Sequence, residues 1–191
     1  MKTSTHIAVI GGGPAGLRSA EVAAANGARV TVYDAMRSVG RKFLVAGKSG
    51  LNLTHDEPLE PSLAKYRGPD IPTTSWRKIN SNFDNMALRE WAAGLGVETF
   101  VSGSGKVFPV ADKGVIKAAP LLRRWIERLR GLGINFAINH RWVGLEPGYE
   151  LTFLFGDDDE VIQRRHDVVI LALGGASWPE TGSTGSWTGI L

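Results

Sequence analysis

Apolar residues are distributed along this chain in three patterns, and each pattern predicts a different element. Unbroken apolar runs that stop at glycine mark strands. Ile7, Ala8, Val9 and Ile10 stop at Gly11-Gly12-Gly13, and residues 167–173 stop at Gly174-Gly175. Such runs suit parallel strands covered on both faces. A further run, 28–33, terminates at Asp34. Between the first strand and this one lies an alanine-rich stretch, 17–25, opened by Pro14-Ala15-Gly16 and closed by Asn26-Gly27. Proline near the start and glycine as a left-handed stop predict a helix, so the first 34 residues read as a β-α-β unit. Helical spacing returns at Leu88, Trp91, Ala92 and Leu95, after a suitable cap at Asp84. It recurs at Leu122, Trp125, Ile126 and Leu129 before Gly131, where Pro120 predicts a kink or a late start. Three β-like runs follow, 134–145, 149–155 and 161–166, with the turn Gly156-Asp157-Asp158-Asp159 between the last two. They predict an antiparallel β-meander over residues 134–166. Residues 46–82 are rich in Gly, Pro, Ser, Thr and Asn without a sustained period, and read as mostly irregular. There is no internal repeat and no low-complexity tract.

Composition narrows the classes. With 43% hydrophobic and 21% charged residues in 191, the chain has the apolar material for one globular domain. The absence of cysteine removes disulfide frameworks, dithiol redox centres, cysteine nucleophiles and thiolate metal sites, and an intracellular, cytoplasmic protein is the simplest expectation. The leading apolar run is too short for a signal peptide, and no stretch is long enough to span a bilayer, so no membrane partner is expected. The net charge of +3 is mild. Its one concentration, 113–130 on a predicted helix, lacks interleaved aromatic residues and reads as a solvated face, not a nucleic-acid surface.

The chemistry concentrates at Gly11-Gly12-Gly13-Pro14-Ala15-Gly16, a G-x-G-x-x-G sequence. Alone it is weak, but here it follows a strand, opens a helix, and is followed by an acid, Asp34, eighteen residues after Gly16 at the end of the next strand. Gly11 permits the tight turn, Gly13 lets bare backbone approach a diphosphate, and Gly16 allows close packing of the helix. The helix N-terminus then stabilises the diphosphate charge. Asp34 would accept hydrogen bonds from the ribose hydroxyls and repel a 2′-phosphate, which favours FAD or NAD over NADP.

Four further segments sharpen the choice of dinucleotide: residues 40–54 (GRKFLVAGKSGLNLT), 105–109 (GKVFP), 171–179 (LALGGASWP) and 182–185 (GSTG). In order and spacing they resemble the bacterial flavoproteins of the aminoacetone-oxidase or BaiN-like type, which carry the glutathione-reductase-like FAD fold. The resemblance implies an α/β, Rossmann-like FAD-binding domain with a central, mainly parallel sheet and a crossover antiparallel β-meander. It implies an FAD/NAD(P)-binding domain over residues 1–191, truncated relative to longer members that carry a substrate-covering insertion. It places Arg41, Lys42 and Asn52, and with them the irregular segment 46–82, along the FAD. The strand around Trp142 matches the one whose main chain hydrogen-bonds adenine, and Ala172 to Gly174 match the small-residue turn that returns to the cofactor. The cofactor-binding candidates are therefore Gly11, Gly13, Pro14, Ala15, Gly16, Asp34, Arg41, Lys42, Asn52, Trp142, Ala172 and Gly174. One departure is Gly50-Leu51, where many members have an arginine-cysteine pair before the asparagine.

The implied activity is an FAD-dependent oxidoreductase moving hydride or electrons between a small organic substrate and an acceptor, with NAD(P)H as a possible donor. A non-catalytic dinucleotide-binding module and an NAD-dependent dehydrogenase remain open as alternatives. No catalytic residue stands out, because the redox chemistry of such proteins resides in the flavin. Asp157-Asp158-Asp159-Glu160 lacks the ligand spacing of a calcium loop. His6, His55, His140 and His166 share no metal-ligand spacing, and each is expected at the surface. His55, beside Asn52, is kept as a possible active-site group, and Gly103-Ser104-Gly105 is too short for a nucleophile elbow.

Overall fold

A computed structural model describes residues 4–48, 50–66, 72–110 and 117–191. In chain order the elements are β1 (His6–Ile10), α1 (Pro14–Ala25), β2 (Arg29–Tyr33), α2 (Arg41–Ala46), β3 (Thr54–His55), α3 (Leu59–Leu63), α4 (Thr73–Asn82) and α5 (Asn85–Gly94). Then follow β4 (Thr99–Val101), β5 (Lys106–Pro109), α6 (Ala118–Gly131), β6 (Asn135–Ala137), β7 (His140–Glu146), β8 (Glu150–Phe155), β9 (Glu160–Arg165) and β10 (Val168–Leu171). Two 3₁₀ turns, Pro179–Thr181 and Ser186–Gly189, lie near the end. The chain divides into two compact units, one of Met1–Val45 with Trp125–Leu191 and one of Ala46–Arg124.

The first unit is built on a four-stranded parallel sheet in the order β10-β1-β2-β6. The apolar run of β1 sits in its middle, with Ile7 facing Val168 on one side and Val30 on the other. Side chains alternate across the strands. Ala8 and Ile10 of β1, with Tyr33 of β2, pack against Trp142, Leu151 and Phe153 of an antiparallel sheet, β7-β8-β9. Val9, Val30 and Val32, of opposite parity, are equally buried, and α1 packs against β2 with Leu17 and Ala20 buried. α1 ends at the predicted stop, with Gly27 at φ +86°. Glu21 of α1 is buried because its carboxylate accepts from Trp125 Nε1 at 3.0 Å and pairs with Arg128 at 2.9 Å, both on α6.

The antiparallel meander begins at His140 and not at residue 134. β6 instead pairs in parallel with β2, Thr31 opposite Asn135. The apolar run is broken at Asn139, whose φ of +57° turns the chain out of one sheet and into the other. A preceding helix, α6, supplies the long crossover that parallel pairing requires. Pro120 produces no late start, because it lies in the first turn of α6, where its missing N–H has no helical partner in any case. Lys113, part of the expected basic face, lies outside the described residues, and Arg123 and Arg130 on α6 are exposed.

The second unit holds a three-stranded antiparallel sheet, β3-β5-β4, over a core that includes Val107, Leu121 and Leu122. Asp84 caps α5 as predicted, accepting from Ala87 N–H at 2.8 Å. Residues 46–82 are less irregular than their composition implies, since they contain β3, α3 and α4. α4 carries few apolar residues, and its Asn80 and Asn82 side chains donate to carbonyls four residues earlier, at 2.9 and 2.8 Å. An Arg77–Glu60 ion pair ties it to α3. Side chains that usually favour turns here bond along a helix, which hydrophobic periodicity cannot register.

Candidate functional site

All the candidate residues except Gly16 and Asn52 line one groove of about 270 Å³ in the first unit, at the C-terminal ends of β1, β2 and β10. The turn from β1 to α1 forms its floor. Gly11 has φ +107°, and a Cβ there would overlap the carbonyl oxygen of Ala172, so β10 closes down directly on bare backbone. Gly16 does not face the groove. A Cβ on it would overlap the Gly11 carbonyl oxygen, so this glycine holds the helix against the turn. At Gly13 an added Cβ would meet nothing within 4 Å, and the position opens into free space. Gly13 is also the N-cap of α1 and offers no capping side chain, with Pro14 following at the first helical position. The helix therefore presents backbone N–H groups and its positive dipole end at an open, side-chain-free position.

Asp34 is tied into this turn. Its Oδ2 accepts from Gly12 N–H at 2.8 Å and its Oδ1 from Met36 N–H at 2.8 Å. Burial pushes its carboxyl above the ordinary value, against the opposing pull of the two N–H groups and the Arg41 guanidinium. A ribose hydroxyl would have to use the lone pairs that these bonds leave on each oxygen. Gly12, absent from the candidate set, is as constrained as its neighbours, because a Cβ there would collide with Val39 and crowd Asp34 Oδ2.

Arg41 opens α2 and lines the groove, and its Nε is buried without a protein partner among the described residues. Lys42 Nζ donates to Gly175 O at 3.1 Å and so joins α2 to the glycine turn after β10. Trp142 is 7% exposed, has an Nε1 without a protein partner among the described residues, and lies on β7, the edge strand of the meander, beside a bulge between Trp142 and Gly144. Gly174, at φ +72°, is followed by a segment that folds back on it: the single Ser183 O–H is shared between Leu173 O, at 2.7 Å, and Gly175 O, at 2.6 Å, and Trp187 Nε1 donates to Gly174 O at 3.0 Å. Tyr33, His140, Ser183 and Trp187 also line the groove, although nothing in their sequence pattern separates them from ordinary packing residues.

Asn52 lies in the second unit, where its side chain is exposed. His55, in the same unit, bonds Ser104 O through Nε2 at 3.0 Å and lines a separate polar hollow of about 120 Å³ with Glu57, Tyr66, Asn80 and Asp84. His166 is not at the surface. It is 6% exposed, and its Nε2 lies 3.2 Å from the Tyr33 hydroxyl. The expectation failed because its polar neighbours Arg164, Arg165 and Asp167 resemble a surface strand end, while the ring turns inward against His6 of β1 and Tyr33 of β2. Among the described residues no helix is long and apolar enough to cross a membrane.

A family model described as the HI0933-like protein Rossmann domain matches residues 5–191. Among solved structures, a 3-ketosteroid-Δ4-(5α)-dehydrogenase from Rhodococcus jostii RHA1, in complex with 4-androstene-3,17-dione, superposes with a TM-score of 0.65 at 16% identity, covering 91% of this chain and 46% of that one. THI4 from Thermovibrio ammonificans superposes with a TM-score of 0.52 at 16% identity, covering 86% of this chain and 55% of that one. The likeness is one of fold, and this chain spans about half the length of either protein.

Proposed function

The chain belongs to the HI0933-like Rossmann domain family, and from that membership and the groove we propose that it binds FAD and forms the cofactor-binding part of an FAD-dependent oxidoreductase. One observation carries the reading: the uncapped N-terminus of α1 meets the groove at Gly13, where a side chain would point into open space. A diphosphate fits that combination, since it needs backbone N–H donors and a close approach. The remaining walls suit the rest of the cofactor. Arg41 and Lys42 bring positive charge to the same groove, Asp34 offers acceptor lone pairs to a ribose, and Trp142 offers an apolar edge with an indole N–H that has no partner among the described residues. Gly12 and Gly16 would act indirectly, by holding the turn.

When bound, FAD would supply the redox chemistry, accepting hydride or electrons from a small organic substrate and delivering them to an acceptor. The chain's own residues would bind, orient and neutralise charge: Arg41 and Lys42 against the phosphates, Asp34 against the ribose, the glycine turn against the diphosphate. The absorbance spectrum of the purified chain, followed by denaturation and identification of any released cofactor, tests this. Stoichiometric FAD supports the reading. A colourless protein that binds NADH and not added FAD overturns it in favour of a nicotinamide site.

A further inference from the structure

Behind the groove wall lies a group of side chains that cofactor contact does not explain. Tyr33, adjacent to Asp34, lines the groove, and its ring stacks on Phe153 at a centroid distance of 4.4 Å and an interplanar angle of 21°. Its hydroxyl points away, to His166 Nε2 at 3.2 Å. His166 meets Tyr33 edge-on and packs against the His6 ring at 4.3 Å. We propose that His166 is a positioning residue for the groove: by holding the Tyr33 hydroxyl it fixes a groove-lining residue next to Asp34, and it thereby makes cofactor affinity depend on its own protonation. The proposal rests on the reading of the groove as an FAD site.

The chemistry follows from counting hydrogens. With one ring proton, His166 and Tyr33 satisfy each other whichever of the two donates. Where Tyr33 is the donor, a second ring proton turns Nε2 into a donor toward the tyrosine oxygen, so the hydroxyl hydrogen must turn elsewhere. Where Nε2–H already donates, the second proton instead adds an N–H at Nδ1, which is buried and has no protein partner among the described residues. The surroundings oppose that proton. His6 faces the ring from β1, Arg29 from β2 and Arg164 from β9, with Asp167 the one opposing carboxylate. His6 cannot relieve it, because its Nδ1 accepts from Arg29 at 3.0 Å, which leaves Nε2–H to donate to Thr31 Oγ1 at 3.0 Å. Burial first, then His6 and Arg29, lower the His166 imidazole from 6.5 to about 4. Tyr33 stays protonated, since burial raises its hydroxyl.

The test measures FAD affinity by equilibrium binding from pH 6.5 down to about 4, the window of the His166 shift, in the wild type, Tyr33→Phe and His166→Gln. Tyr33→Phe keeps the ring and loses only the hydroxyl. His166→Gln keeps a hydrogen-bonding group and loses the titration. The wild type should lose about twofold in affinity by pH 4, where half of the free protein carries the second ring proton, beyond any loss shared by all three proteins, which isolates the contribution of Asp34. Tyr33→Phe should bind roughly three- to tenfold more weakly at the upper end without the additional fall, and His166→Gln should keep most of the upper-end affinity and also lack it. A second measurement needs no variant: by reciprocity, saturating FAD should lower the His166 titration midpoint followed by imidazole NMR. If either variant retains the full wild-type pH dependence, or FAD leaves the midpoint unchanged, the positioning role is overturned while the FAD reading stands. If the wild type binds no FAD at any pH, the FAD reading fails and this proposal with it.

Discussion

The groove of the first unit and the polar hollow of the second are made differently. In the first unit the groove is bounded by backbone packed to contact: Gly11 under Ala172, Gly16 on Gly11, Gly12 against Val39 and Asp34. In the second unit the polar hollow is lined by residues such as His55, Glu57 and Asn80, and the helices α3 and α4 are joined by the exposed pair Arg77–Glu60. Backbone packed to contact cannot give way to an added atom, whereas solvated ion pairs rearrange at little cost. The first unit should therefore tolerate almost no substitution at Gly11, Gly12 or Gly16, and the second hollow should tolerate many.

The largest effect that would test this contrast is Gly16→Ala, whose methyl must displace the backbone of Gly11. It should cost more than about 3 kcal/mol of stability, seen as a large fall in Tm. Gly13→Ala, only three residues away, should leave Tm nearly unchanged yet sharply reduce FAD binding, because its methyl enters free space where the diphosphate is expected. Equal loss of Tm in both variants would break the distinction between packing and ligand-facing glycines. Next, Asp34→Ala should weaken FAD binding by about 1–3 kcal/mol, the value of a hydrogen bond to a charged group, and unchanged affinity in isothermal titration would remove Asp34 from the site.

Stability should also fall on acidification. The folded-state His166 lies below its unfolded value, so the unfolded chain binds the extra proton first, and this stabilisation is lost as pH falls from 6.5 to about 4. The loss should be on the order of 2 kcal/mol once solvent screening is allowed for, and denaturant melts of the wild type against His166→Gln would measure it. Asp34 acts in the opposite sense: its folded carboxyl is raised, so its contribution declines as pH rises. The smallest effect should come from Glu60→Gln in the second unit, where the Arg77 guanidinium lowers the carboxyl of an exposed residue. No resolvable change in Tm is expected there, and a clear drop would show that the exposed pairs hold that unit together after all.

The glycine turn was legible because local covalent geometry dictates it: a strand, bare backbone, then a helix, with an acid closing the next strand. The cap at Asp84 and the stop at Gly27 were legible for the same reason, since each is settled within a few residues. The strand at 135–137 was misjudged as part of the meander because alternation marks a strand without naming its neighbour, and only the crossover through α6 makes it parallel. α4 was missed because side chains bonding to carbonyls four residues back leave no hydrophobic period.

By itself, then, the order of residues determined where the chain turns, where backbone must be bare, and which short runs become strands, because these depend on sterics between neighbours along the chain. Tertiary structure alone decided that Gly12 is as confined as Gly11, that Tyr33 and Trp187 reach the groove, and that His166 turns inward to hold a tyrosine 133 residues away. Such contacts join distant segments, and their energies come from burial and from hydrogen bonds that exist only once the sheet has closed.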